Sequence, residues 1–278
     1  MTLSPAAPGT GIVFRRRDVG ADVHANWVNA IESPLCTVLS NHAGETVGTV
    51  EHLMAALAGA EIDNAIVELN GPEVPIMDGS AAPFVSLIER AGRVAQSDAR
   101  RAVKVLKPVI FGDGAASVAL FPARGFSMSF EIDFANPLIC RQEIDLSFAP
   151  GTFREELSRA RTFGLIDDID RLRAAGLVRG GSLDNAIVVS GDQVLNRGGL
   201  RYGDEFVRHK LVDALGDLYL AGGPIIGHFR GIRSGHAHTR RLLAALFADD
   251  AAWCSALFAR DSEPTTRIWR GEAHRACA

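Results

Sequence analysis

Glu205-Phe-Val-Arg-His209-Lys210-Leu-Val-Asp213-Ala-Leu-Gly-Asp217-Leu-Tyr219 is the stretch around which the chain is organised. Leu211, Leu215 and Leu218 return at helical spacing beside Val207 and Ala214, which predicts an amphipathic helix with one apolar face. Asp204 is placed to cap its start, and Gly222-Gly223-Pro224 is placed to stop it. At about 100° per residue, His209, Asp213 and Asp217 fall in a narrow stripe opposite the leucines. An imidazole and a carboxylate one turn apart are half of a metal site, and they are equally an ordinary i,i+4 pair. The stretch alone leaves both readings open.

The totals narrow the class of protein. A chain of 278 residues, 47% hydrophobic and 22% charged, reads as an ordinary globular protein with one large or two modest domains. A net charge of −4 gives no reason to expect nucleic acid as a partner. Cys36, Cys140, Cys254 and Cys277 lie far apart with no Cys-x-x-Cys, so neither a thiolate zinc knuckle nor a disulfide framework is indicated. The start lacks the pattern of a signal peptide, and no apolar run reaches membrane-spanning length. The expectation is a cytoplasmic protein without a membrane span, and a monomer.

Outward from the opening stretch, strands and helices come in blocks. Strands are predicted at 11–14 and 63–68, with a short strand and turn within 35–48. A helix is predicted over 49–59, with Thr49 as its cap and Gly59 as its stop, and another over 83–93. The polar stretch 96–101 is the predicted boundary between a first domain, 1–98, and a second, 99–278. Beyond it, strands are expected at 102–110, 116–121, 126–134 and 142–148, then helices at 153–159 and 166–175. A strand at 186–190 precedes the opening helix, and a strand at 225–232 and a helix at 239–247 follow it. Strands followed by helices in each half argue for α+β, two layered sheet-and-helix domains, rather than a doubly wound parallel sheet. The echo of Ile62-Asp-Asn-Ala-Ile-Val67 in Leu183-Asp-Asn-Ala-Ile-Val188 reads as chance or shared strand-entry chemistry, not a repeat.

Eight histidines (His24, His42, His52, His209, His228, His236, His238 and His274) are the pool for a further metal ligand. His52 stands out because Glu51 precedes it at a helix start. Two nitrogens and one carboxylate leave a tetrahedral position open for water, the catalytic pattern, and an adjacent glutamate then serves as proton acceptor. By itself, a Glu-His pair at a helix start is also a favourable terminal charge beside a packed histidine.

Four motifs in series bear on that choice. They are Thr49-Val-Glu-His-Leu-Met-Ala-Ala-Leu-Ala-Gly59, Pro72-Glu-Val-Pro-Ile-Met-Asp-Gly-Ser-Ala-Ala-Pro-Phe84, Ser158-Arg-Ala-Arg-Thr-Phe-Gly164 and Glu205 to Asp217. Together they resemble the UDP-3-O-acyl-N-acetylglucosamine deacetylases, the zinc amidases of lipid A biosynthesis, over nearly the whole chain. The resemblance implies that His52, His209 and Asp213 hold Zn2+ (ferrous iron being the alternative ion) between the two domains. It makes Glu51 the general base, Thr162 an oxyanion partner, His236 the imidazolium that protonates the departing amine, and Asp217 the group that orients His236. Lys210 would meet the sugar, Asp133 and Phe134 the uridine, and Arg233 the diphosphate, with Phe163 also against the substrate. The segment from about Thr162 to Val189 corresponds to the family's inserted unit, a passage for the acyl chain; Leu165, Ile166, Leu172, Leu177, Val178 and Leu183 supply apolar surface for it, which ordinary core packing explains equally well.

The sequence departs from the family pattern in three places. Relatives usually begin with a further strand and a Gly-x-Gly-Leu-His-x-Gly turn ahead of the strand that here starts near Met1, and His24 does not replace it. After the acid, Gly235-His-Ala-His238-Thr239 replaces Gly-His-x-Leu-Asn, which would put His236 and His238 on one strand face. Leu165 stands where the family has Phe. The first departure motivates a rival reading, a catalytically impaired paralogue acting in binding or regulation.

Overall fold

A computed structural model of the chain describes residues 1–174 and 176–258. His274, Cys277, the expected helix end at Ala175 and the last part of the expected second domain lie outside the described residues.

The chain opens with β1 (Thr2–Pro5), β2 (Ile12–Arg16) and β3 (Ala21–His24), the last not foreseen. A small sheet follows, made of β4 (Ala30–Ile31), β5 (Val38–Ser40) and β6 (Thr46–Val47). Then come α1 (Glu51–Gly59), β7 (Ala65–Leu69) and α2 (Ala82–Ala91). β7 inserts between β1 and β2, pairing antiparallel with the first and parallel with the second, so the sheet order is β1-β7-β2-β3. The strand pattern alternates as a half-buried sheet should: Ala65, Val67 and Leu69 are buried while Ile66 and Glu68 are only half covered.

The stretch expected as one strand over 102–110 is two, β8 (Arg100–Val105) and β9 (Val109–Asp113). Pro108 lies between them and has no N–H for a ladder. β10 (Ala116–Phe121), β11 (Phe126–Asp133) and β12 (Arg141–Ser147) continue the meander. The expected helix at 153–159 is a short π-helical turn, Phe153–Leu157. β13 (Phe163–Leu165), β14 (Ile187–Ser190) and β15 (Gln193–Val194) form a three-stranded sheet, with α3 (Ile166–Ala174) between its first two strands in the chain. The opening stretch is α4 (Glu205–Tyr219), followed by β16 (Ile225–Ile232), α5 (His236–Phe247) and β17 (Trp253–Phe258). The larger sheet runs β12-β11-β16-β10-β9, with β8 joined to β16 and β17 to β8.

The α+β expectation therefore holds. Both expected side-chain caps do not. Thr49 lies at φ 57° and its hydroxyl donates to Glu73, so α1 starts at Glu51, after Val50, without a side-chain cap. The Asp204 carboxylate is committed to Arg208 one turn on, and the first N–H groups of α4 are left to other partners. α5 begins at His236 rather than 239, which puts His236 and His238 on a helix start and not on a strand face.

α1 and α4 pack against each other and carry the molecule's centre. Leu53, Met54 and Leu57 of α1 join Phe206, Leu211, Val212, Leu215 and Leu218 of α4 in one buried apolar cluster. That cluster also takes in Phe14 and Val67 of the smaller sheet and Met128, Phe130 and Phe229 of the larger one. Burying each such side chain stabilises the fold by about 1.5–3 kcal/mol.

Candidate active site

The polar stripe of α4 is buried, which no solvated i,i+4 pair requires. His209, Asp213 and Asp217 are each less than a tenth exposed, as are Glu51 and His52 of α1. Buried charges must be paired or bind a metal. Ligand atoms of His52, His209 and Asp213 all lie within 4.8 Å of one another. Asp213 Oδ1 is 3.2 Å from His209 Nε2 and 3.5 Å from His52 Nε2, and the two rings meet edge to face. His209 Nδ1 hydrogen-bonds the carbonyl of Ala160 at 3.1 Å, which as a donor leaves the Nε2 lone pair facing the cluster. His52 meets the others through Nε2, and its Nδ1 has no hydrogen-bond partner among the described residues. Two imidazole nitrogens and one carboxylate oxygen, turned inward in this way, fit a divalent ion of the zinc type.

Beside the cluster lie a carboxylate and an imidazole. His236 Nε2 is 3.9 Å from Glu51 Oε1, and His236 Nδ1 hydrogen-bonds Asp217 Oδ2 at 2.8 Å. Burial disfavours charge on His236, but Asp217, Glu51 and Asp213 around it override that and push its pKa up to about 9. Burial also pushes the Glu51 carboxyl up, against the pull of His236 and His52. For Asp213, burial is outweighed by His209 and Lys210, which hold the carboxyl well below its ordinary value. Lys210 Nζ donates to Asp213 Oδ2 at 2.8 Å, and this pairing keeps the ammonium charged despite its burial.

The segment after the π-helical turn supports the cluster. Glu205, fully buried at the start of α4, accepts from the Arg161 N–H and guanidinium and from the Arg201 N–H. This clamp fixes residues 160–162, and with them the carbonyl behind His209. Thr162 is laced by main-chain bonds, donating its N–H to Gly79 and accepting from that of Ile187. Gly79 stands at φ +82°, and a Cβ there would come 2.1 Å from the Asn185 carbonyl oxygen, so only glycine allows that approach.

The expected substrate residues fall into two groups. Phe163 packs edge-on against Phe134, Phe206 and His209, which puts it beside the ligand cluster with Phe134 one ring further out. Asp133 and Arg233 are ion-paired with each other, and Arg233 holds a left-handed backbone at φ 49°. His238 is separate from the cluster, bonded to Asp113 Oδ1 and edge-on to Phe111. Sequence reasoning missed Thr37, which touches both Glu51 and Asp217, as well as the Ala160 carbonyl and the Glu205–Arg161 clamp. Nothing local to Thr37 signals its role, since its partners come from distant helices. Arg161 and Glu205 each stand in one of the quoted motifs, but no local spacing pairs them.

An α+β fold that buries a His-His-Asp cluster beside a carboxylate and a charged imidazole defines a hydrolytic metalloenzyme. The family model described as UDP-3-O-acyl N-acetylglycosamine deacetylase matches residues 1–248. The chain belongs to that family. It is 48% identical over 264 residues to the UDP-3-O-acyl-N-acetylglucosamine deacetylase of Phenylobacterium zucineum (strain HLK1), covering 94% of this chain and 90% of the relative. It is 49% identical over 257 residues to that of Vibrio parahaemolyticus serotype O3:K6, covering 91% and 84%. To that of Acidithiobacillus ferrooxidans (strain ATCC 53993 / BNL-5-31) it is 50% identical over 255 residues, covering 90% and 84%. Among the described residues, no helix is long and apolar enough to cross a membrane.

Proposed function

We propose that the chain removes acetate from UDP-3-O-(3-hydroxyacyl)-N-acetylglucosamine by zinc-dependent hydrolysis, as a cytoplasmic step of lipid A biosynthesis. The single observation that carries this reading is the placement of Glu51 and His236, 3.9 Å apart, beside the three inward-facing ligands. His52, His209 and Asp213 would hold the ion. When bound, zinc supplies Lewis acidity that polarises the amide carbonyl and makes water acidic enough to lose a proton near neutral pH.

The chain's own residues do the rest. Glu51 takes the proton from the attacking water, and the approach of positive His236 favours its ionised form. Thr162 donates to the carbonyl oxygen as the carbon becomes tetrahedral. His236, held charged by Asp217, gives its Nε2 proton to the departing nitrogen, without which an amide expels a poor leaving group. Lys210 and Phe163 contact the sugar and its acyl ester. Asp133 and Phe134 take the uridine, and Arg233 exchanges Asp133 for the diphosphate. The inserted unit, with Leu183 and Ile166 exposed on it, takes the acyl chain. We further propose that residues 1–98 and those from 99 onward are two domains with the metal at their seam, because Glu51 and His52 come from one and His209 and Asp213 from the other.

The test is acetate release from the acylated UDP sugar by the purified, metal-loaded chain, with bound zinc counted per chain. Stoichiometric zinc with no acetate released would overturn this reading in favour of a binding or regulatory role.

A further inference from the structure

Thr37 precedes β5 in a loop that reaches three helices at once. Its N–H donates to Glu51 Oε2 at 3.0 Å, and its carbonyl accepts from the N–H of Val50 at 3.4 Å, the residue before α1. Its hydroxyl donates to Asp217 Oδ1 of α4 at 2.5 Å and lies 3.1 Å from His236 Nδ1 of α5. The residue is 6% exposed, and Asp217 and Glu51 are each 3% exposed, so water does not stand in for these bonds.

The direction of each bond follows from chemistry. Ionised Asp217 only accepts, so the one hydroxyl proton of Thr37 goes to Oδ1. The lone pairs of Thr37 Oγ1 then face His236 Nδ1–H, whose proton lies between that oxygen and Asp217 Oδ2. The ring has two acceptors on one nitrogen, and its other nitrogen is left pointing at Glu51. A flipped or tilted ring loses both acceptors together.

We propose that Thr37 is the positioning residue that sets the proton acceptor and the proton donor of the site against each other. Its main-chain N–H aims Glu51, and its hydroxyl locks the Asp217 carboxylate so that His236 presents Nε2 to the reacting nitrogen. The inference rests on the acid–base roles given above for Glu51 and His236, and it adds a residue outside the ligand cluster that those roles depend on.

Thr37→Val and Thr37→Ser in the full, metal-loaded chain separate orientation from packing. Valine matches threonine in shape and keeps the main-chain N–H but removes the hydroxyl, whereas serine keeps the hydroxyl and loses a methyl. Thr37→Val is expected to lower kcat by about 10- to 100-fold, part of the range a positioned general acid contributes, with KM and bound metal unchanged. Thr37→Ser is expected to recover most of that loss. In an Asp217→Asn background, Thr37→Val should add little, because residues acting through one another are not additive. Imidazole 15N spectra give a readout independent of turnover: the His236 Nδ1–H is protected from exchange in the parent and the serine variant and loses that protection in the valine variant. Unchanged kcat and unchanged exchange in Thr37→Val overturn the proposal. So does a loss of kcat that tracks lost metal and is not restored by serine. His236→Ala and Glu51→Ala run alongside. If those two keep full acetate release, the acid–base assignment itself has failed, whatever Thr37 does.

Discussion

Gly216 of α4 lies directly against the main chain of Glu51: a Cβ added to Gly216 would stand 2.0 Å from the Glu51 carbonyl oxygen and 3.0 Å from its Cα. The obstacle is backbone, not the end of a flexible side chain. The two helices that carry the site can approach only because this position has no side chain. Gly216→Ala gains helix propensity of roughly 1 kcal/mol, yet the clash is expected to outweigh it and destabilise the fold by about 1–3 kcal/mol. Urea unfolding and zinc content measure it together, and a variant as stable and as metal-replete as the parent would contradict the close crossing.

Removing a proposed ligand and removing the proposed base should differ in kind. His209→Ala is expected to abolish both metal retention and activity, since one of three inward-facing ligand atoms is gone. Glu51→Gln should keep the metal and lower turnover by about 10²–10⁴-fold. Metal analysis of dialysed protein beside acetate release tells them apart, and full activity in His209→Ala is incompatible with the assignment.

The charge on His236 predicts a basic limb. With its pKa pushed up to about 9, His236 stays protonated through neutral pH, and if it is the donor proposed above, kcat/KM should fall as pH rises through about 9. Asp217→Asn removes the leading charge that raises this pKa, so the limb should move down toward the ordinary value of about 6.5. Stability follows the same sign. A folded-state pKa above the unfolded value means that this contribution is complete below about 6.5 and is lost as pH rises through about 9. Unfolding curves collected from pH 6 to 10, parent against Asp217→Asn, test the direction.

The Glu205–Arg161 clamp should matter for both fold and metal. Glu205 is fully buried, and Arg161 is nearly so, so Glu205→Gln leaves a guanidinium without its counter-charge. Breaking a buried pair from one side costs about 3–5 kcal/mol. The freed segment carries the Ala160 carbonyl that orients His209, so metal affinity should also drop by about 10- to 100-fold. A competition titration with a chelator reads that second effect, and unchanged affinity would separate the clamp from the site.

How much of this was legible depended on the range of each interaction. The stripe of His209, Asp213 and Asp217 could be read directly, because helical spacing is local, and the α+β class followed from the succession of strands and helices. That His52 joins the stripe was visible only through the likeness of four motifs to a known family, since helical spacing says nothing about which helices meet. The expected caps at Thr49 and Asp204 failed because each side chain was claimed by a better partner, Glu73 and Arg208. The His236–His238 strand face failed because α5 starts three residues early, at His236. Thr37 gave no signal at all. Its meaning comes from side chains brought to it by three helices.

Those long connections also set a timetable. Thr37 is 180 residues from Asp217 and 199 from His236 along the chain. During synthesis, the segment with Glu51 and His52 leaves the ribosome well before α4 and α5 exist, and domains assemble from the amino end at about 5–20 residues per second. Until then Glu51 and His52 are without the side chains that α4 and α5 bring to them. Closing a loop of this size is slow for topological reasons. The contacts of Thr37 with Asp217 and His236 can therefore form only after α4 and the start of α5 have been made.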